Sequence, residues 1–140
     1  FLIDLDESLD LVFYALANGG NGDIYVRKAP AATIGDLTRA LVSLFNYKKG
    51  VKEIGIRPGE KKHETLVSRE ELHRTDDCGD YYRIAPEVKR IDVKPYYFEG
   101  KKANSLPREG YTSKNTRQLG VEEIKKMLLR LPGIKKELGS

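Results

Sequence analysis

Arg57-Pro58-Gly59-Glu60-Lys61 is the stretch whose residue types best suit chemistry on a ligand. Arginine presents a planar fork of N–H donors that matches two phosphate oxygens. A carboxylate three residues on can accept hydrogen bonds from sugar hydroxyls. Proline and glycine between them stiffen a tight turn. Guanidinium, carboxylate and the Lys61 ammonium would then leave one rigid point, as a phosphate-plus-ribose clamp. The same residues also suit a charged surface turn in which Arg57 pairs with Glu60, and spacing does not choose between the two. A second basic stretch, Arg27-Lys28-Ala29-Pro30, follows an alternating apolar run. It would offer a cation and backbone groups at a strand end, where α/β folds bind ligands. A solvated strand terminus has the same composition.

Other reactive side chains are fewer. His63 stands beside Glu60 and Glu64, a setting for acid–base chemistry that is also ordinary for an exposed histidine. His73 falls on a charged helix face. Cys78 sits among Asp76, Asp77 and Asp80, whose charges raise a thiol pKa and argue against a nucleophile. Two histidines and one cysteine are too few for a structural zinc site. No G-x-G-x-x-G, G-K-[ST] or nucleophile elbow occurs in the 140 residues, so no dinucleotide loop and no catalytic set is expected here.

Charge is distributed unevenly around these residues. The net charge is +4, yet residues 1–26 contain Asp4, Asp6, Glu7, Asp10 and Asp23 and no Lys or Arg. The basic excess gathers in residues 27–62, around the turn. A local basic block suits an anionic ligand better than a bulk polyanion. Aromatics and bases mix in residues 86–115, but Glu87, Asp92, Glu99 and Glu109 dilute the charge and argue against nucleic acid. No run approaches the ~20 apolar residues of a membrane helix. The lone Cys78 excludes an internal disulfide and suits a reducing cytoplasm. With 39% hydrophobic and 33% charged residues, the chain can bury a core of one ordinary domain. It opens at Phe1 inside an apolar run, which reads as part of something longer.

The elements that would position the turn follow from caps and periods. Residues 1–5 read as a short strand, with a helix from Asp6 whose Leu9, Val12, Phe13 and Leu16 form a core-facing stripe. Residues 23–28 read as a strand. Thr33 caps a helix carrying Leu37, Ala40, Leu41 and Leu44, and residues 51–56 form a second strand running into Arg57. Residues 64–67 suit a short helical piece, Ser68 to Glu71 a capping box that opens a helix to about Arg74, and residues 81–84 a third strand. Residues 86–115 show no period, and a loop of that length is uncommon in a compact domain. Val121, Ile124, Leu128 and Leu131 mark a last helix, stopped by Pro132-Gly133. This is a small α/β or α+β unit with too little sheet for a complete doubly wound domain.

Several stretches resemble one family. They are Phe1-Leu2-Ile3-Asp4-Leu5-Asp6-Glu7-Ser8-Leu9-Asp10-Leu11-Val12, Gly22 to Leu37, Arg57-Pro58-Gly59-Glu60-Lys61 with Glu64 to Ser68, and Asn115-Thr116 with Leu119 and Val121-Glu122-Glu123. In order and spacing they resemble the C-terminal half of the inverting UDP-N-acetylglucosamine 4,6-dehydratases/5-epimerases of capsule and O-antigen biosynthesis, which are extended short-chain dehydrogenase/reductases. The resemblance implies the C-terminal, substrate-binding part of such an enzyme, lacking the Rossmann core. NADP or NAD and the catalytic residues would belong to an N-terminal Rossmann domain, so the fragment itself would bind no cofactor and be inactive. The whole enzyme would oxidise C4 of the sugar, eliminate water across C5–C6 and return the hydride, with epimerisation at C5. Arg57 would take the diphosphate and Glu60 the uridine ribose, with Lys28 and Pro30 near the nucleotide. The partners would be a UDP-sugar, the Rossmann domain and further copies in a homo-oligomer, in the cytoplasm. Three regions would follow: 1–85 as the substrate-binding region, 86–116 as an extended docking segment, mobile or partner-dependent, and 117–140 as C-terminal helix and tail. A stand-alone nucleotide-sugar-binding or scaffold module and the retaining dehydratase branch remain as alternatives.

Overall fold

A computed structural model describes residues 1–87 and 106–139. Helix α1 spans Leu5–Asn18 and starts one residue before the expected Asp6, because Asp4 is the cap. Glu7 N–H donates to Asp4 Oδ1 at 2.8 Å and Asp4 N–H to Glu7 Oε2 at 3.1 Å, a reciprocal box that satisfies two helix-end donors. The expected strand over 1–5 is therefore absent. Its place is taken by an extended lead-in that Leu2 ties to the Pro30 carbonyl at 2.8 Å.

Strand β1 is Ile24–Arg27 and helix α2 is Ile34–Leu44, capped by Thr33, which accepts from Asp36 N–H. Both agree with the patterning. Beyond α2 the chain runs exposed through residues 45–66. The strand expected over 51–56 does not form. Gly55 lies at φ +73°, which turns the backbone out of the extended region, and no ladder partner stands beside it among the described residues.

Strand β2, Thr65–Val67, replaces the helical piece expected there, because it pairs with β5, Tyr111–Thr112. The capping-box residues that follow yield only a 3-10 turn over Leu72–Arg74, with Ser68 N–H donating to Glu71 at 2.9 Å. The chain passes straight from that turn into β3, Thr75–Cys78, so the helix has no room to extend. β3 pairs through a two-residue turn with β4, Tyr81–Ile84. Gly79, at φ +77°, supplies the left-handed residue that turn requires. The principal sheet is antiparallel in the order β1-β4-β3.

Helices α3, Val121–Leu128, and α4, Pro132–Glu137, end the chain. Pro132 starts α4 instead of stopping the structure, since the first turn of a helix needs no proline N–H. One core lies under the sheet and comprises Val26, Val67, Tyr82, Ile84 and Tyr111. A second joins α2 to α3 through Ala40, Leu119 and Ile124.

Helix α1 departs most from its pattern. Its Glu7, Leu11 and Tyr14 side is half-buried, and Tyr14 stacks on Tyr81 at 4.2 Å. Leu9, Val12, Phe13 and Leu16, the expected core stripe, are 46–77% exposed. Full burial of such a side chain is worth about 1.5–3 kcal/mol, and each forgoes roughly half to three-quarters of it. Nothing else in the described residues covers that face.

Candidate functional site

The turn that carries Arg57 sits on the exposed passage between α2 and β2. Glu60 N–H donates to the Arg57 carbonyl at 3.1 Å, and Gly59 at φ +86° completes the reversal. Glu60 also caps the turn from the other side, its Oε2 accepting the Arg57 N–H at 2.9 Å. The carboxylate is thus directed at backbone. The guanidinium remains 4.0 Å from the nearest Glu60 oxygen, with 72% of the Arg57 side chain exposed. An exposed pair at that distance contributes under about 1 kcal/mol. The passage is anchored at its far end by Glu64, whose N–H donates to Ser113 Oγ at 3.0 Å and whose carbonyl accepts from Ser113 N–H at 2.8 Å.

Lys28 and Pro30 lie elsewhere. No hydrogen bond or ion pair joins them to the 57–60 turn among the described residues. Lys28 Nζ is 2.6 Å from Asp77 Oδ1 and 4.5 Å from the centre of the Tyr82 ring. The Pro30 carbonyl accepts from Leu2. Sequence reasoning missed what holds this segment: Tyr111 and Thr116 hydroxyls both donate to the Ala29 carbonyl, at 2.7 and 2.9 Å. Burial pushes the Tyr111 hydroxyl above its ordinary pKa, partly countered by Thr116. Asn115 braces the same corner through the Gly110 carbonyl and the Thr112 N–H. The signal was present in Asn115-Thr116, but the Ala29 carbonyl that Thr116 reaches lies 87 residues away in sequence. Tyr111 also shows that the end of the expected docking segment belongs to the chain's own core. Tyr96, Tyr97 and Phe98 lie outside the described residues.

The remaining candidates do not assemble into a centre. His63 and His73 are exposed. Burial first, and then Asp76, pushes the half-buried Cys78 thiol up, which disfavours a thiolate. No group of three potential ligands that could hold a metal occurs among the described residues. Gly19-Gly20-Asn21-Gly22 follows a helix and precedes a strand, the reverse of the strand–turn–helix order that cradles a pyrophosphate.

The clamp-like turn, the Thr33-capped α2 after β1, and the Asn115-Thr116 corner fall within two matched sequence families. Residues 1–86 match the polysaccharide biosynthesis protein family, and residues 89–135 match the polysaccharide biosynthesis protein C-terminal family. The chain belongs to the polysaccharide biosynthesis protein family. Among curated relatives, it is 46% identical over 138 residues to proteins named UDP-glucose 4-epimerase from Rickettsia rickettsii (strain Sheila Smith) and Rickettsia akari (strain Hartford). A relative of the same name from Rickettsia felis is 45% identical. These alignments cover 99% of this chain and 40% of each relative, so the chain spans two-fifths of their length. The fold is that of part of a solved protein, Pen from Bacillus thuringiensis, with a TM-score of 0.73 over 94% of this chain and 37% of that one, at 22% identity. No helix among the described residues is long and apolar enough to cross a membrane.

Proposed function

We propose that this member of the polysaccharide biosynthesis family binds the nucleotide end of a UDP-sugar, with Arg57 as the diphosphate ligand and Glu60 as a ribose ligand. The observation that carries the reading is the free Arg57 fork. Its turn is closed by Glu60 acting on backbone, which leaves the guanidinium an exposed, pre-set pair of donors. Two charge-assisted hydrogen bonds to a diphosphate contribute about 1.5–3 kcal/mol each in a partly buried site. Lys28 and Pro30 would flank the nucleotide. The substrate would be UDP-N-acetylglucosamine and the reaction a 4,6-dehydration with 5-epimerisation for capsule or O-antigen synthesis. The names of the Rickettsia relatives favour a second reading, epimerisation at C4 of UDP-glucose. In both, NADP or NAD and the reacting groups would be supplied by a Rossmann domain outside this stretch. The bare apolar face of α1 offers a surface for that domain to cover, and the cytoplasmic assembly would be homo-oligomeric.

Calorimetric titration with UDP tests the clamp. Arg57→Ala should weaken binding by about tenfold or more, and Arg57→Lys should weaken it as well, since lysine keeps the charge and loses the fork. An unchanged Kd in a folded Arg57→Ala protein ends the clamp reading. Product analysis of the whole enzyme on each UDP-sugar separates dehydration from 4-epimerisation.

A further inference from the structure

The oxygen of the Ala29 carbonyl belongs to the peptide plane that carries the Pro30 ring, and two hydroxyls converge on it. Tyr111 meets it at 2.7 Å and Thr116 at 2.9 Å, and the hydroxyls themselves are 2.8 Å apart, so they act on Ala29 as one group. One donor is enough to satisfy a buried carbonyl. A second donor, from another direction, fixes the tilt of the peptide plane as well as its place. The Tyr111 ring aims its hydroxyl by packing 5.2 Å from the Tyr82 ring and 5.4 Å from that of Phe1. Lys28 Nζ sits over that same Tyr82 ring. Burial keeps the Tyr111 hydroxyl protonated near neutral pH, and so able to donate.

The backbone around Ala29 is held from the same side. Ala31 N–H donates to the Arg117 carbonyl at 2.9 Å, and Leu119 N–H returns to Ala31 at 2.8 Å. Lys28 N–H is taken by Asp80 at 2.9 Å. Ala29 and Ala31 are buried, whereas Lys28 and Pro30 between and beside them are half-buried. The segment is thus fixed through its backbone, which leaves the Lys28 and Pro30 side chains to meet a ligand.

We propose that Tyr111 and Thr116 are positioning residues for the nucleotide: through the Ala29 carbonyl they hold Lys28 and Pro30 in place before a UDP-sugar arrives. A segment ordered in advance loses less freedom on binding, so the two hydroxyls act on affinity without touching the ligand. The proposal rests on Lys28 and Pro30 as flanks of the nucleotide and adds the residues that set them.

Titration of the chain with UDP, beside hydrogen exchange without it, tests this. Tyr111→Phe keeps the ring and removes one hydroxyl, and Thr116→Val keeps the shape and removes the other. Each leaves Ala29 one donor, so each should fold, and each should weaken UDP binding about threefold. The double variant should weaken it about tenfold or more, and Thr116→Ser, which restores a hydroxyl, should bind as the parent does. Ile124→Val, trimmed in the second core, is the control: it should lower the melting temperature and leave the UDP Kd alone. Without UDP, the amides of Lys28, Ala29 and Ala31 should exchange about tenfold faster in the double variant, with that of Ile124 unchanged. If Arg57→Ala weakens binding and the folded double variant binds as the parent does, the positioning role is overturned and the clamp stands. If the parent binds no UDP, the clamp falls, and the hold on Lys28 and Pro30 is then judged by the amides alone. Unchanged exchange at Lys28, Ala29 and Ala31 overturns it in either case.

Discussion

Arg83 and Arg57 carry the same guanidinium into opposite surroundings. Arg83 lies on the principal sheet with Nε 2.9 Å from Asp23 and NH1 3.5 Å from Asp76. The Asp23 side chain is 3% exposed, so its charge depends on that partner. Arg57 stands on an exposed turn, 72% open, and its NH1 and NH2 find no acceptor among the described residues. What differs is how many donors the chain has already used. Arg83 is consumed by its own fold, and Arg57 is left over. Local basic density does not separate the two roles, whereas satisfied hydrogen bonds do.

The largest effect should come from Arg83→Ala, which leaves a buried carboxylate without its cation. We expect a loss of about 2–3 kcal/mol, less than for a fully buried pair because Arg83 is itself partly exposed, with UDP affinity unchanged. Urea denaturation and titration of the same variant check both halves, and an unmoved midpoint would erase the contrast. Arg57→Ala should do the reverse. Its stability should stay within about 0.5 kcal/mol of the parent, while UDP binding falls.

Acid should sharpen the comparison next. The Arg83 hydrogen bond holds the Asp23 carboxyl below its ordinary 3.8, against the upward pull of burial. A carboxyl lowered on folding adds stability above its unfolded pKa and loses it as pH falls through the folded value. Asp23→Asn should therefore cost most near neutrality and nothing well below pH 3.8. Asp76 runs the other way, because burial raises it despite Arg83. Its ionisation opposes folding as pH rises through the folded pKa. Asp76→Asn should be neutral or slightly stabilising at pH 7, with the gain vanishing in acid. Melting curves of the two variants from pH 2.5 to 7, an interval chosen to bracket ordinary carboxylates, should diverge in sign. Parallel curves would refute the assignment. The smallest effect belongs to Glu60→Gln. An amide oxygen can still cap the Arg57 N–H, so stability should shift by less than about 0.5 kcal/mol, and a loss of UDP affinity would mark Glu60 as a ligand in its own right.

Much of the local structure was legible in the residues. Thr33 with Asp36 placed the start of α2, and the Gly55 to Lys61 stretch placed a tight turn where one occurs. The misses share one cause. Residues 64–67 resemble a helical turn until β5 arrives from more than forty residues away, and Asp76-Asp77 hides β3 because acids are poor strand formers in isolation. Arg57 and Glu60 were found because their chemistry is local. The Tyr111–Thr116 brace on Ala29 was not, because hydroxyl and carbonyl meet only across the fold.

Helix α1 shows where the boundary falls. Its sequence determines that it is a helix and where it begins, through Asp4 and Glu7 reaching one turn of backbone. Caps and periodicity act over three or four residues and need no other part of the molecule. Which side of α1 turns inward was decided by tertiary contacts. Tyr14 stacks on Tyr81 and Glu7 pairs with Arg27 at 2.9 Å, so the sheet engages the mixed polar side and leaves Leu9, Phe13 and Leu16 bare. Apolar spacing states that a face can be buried. Only the surface that meets it determines whether it is.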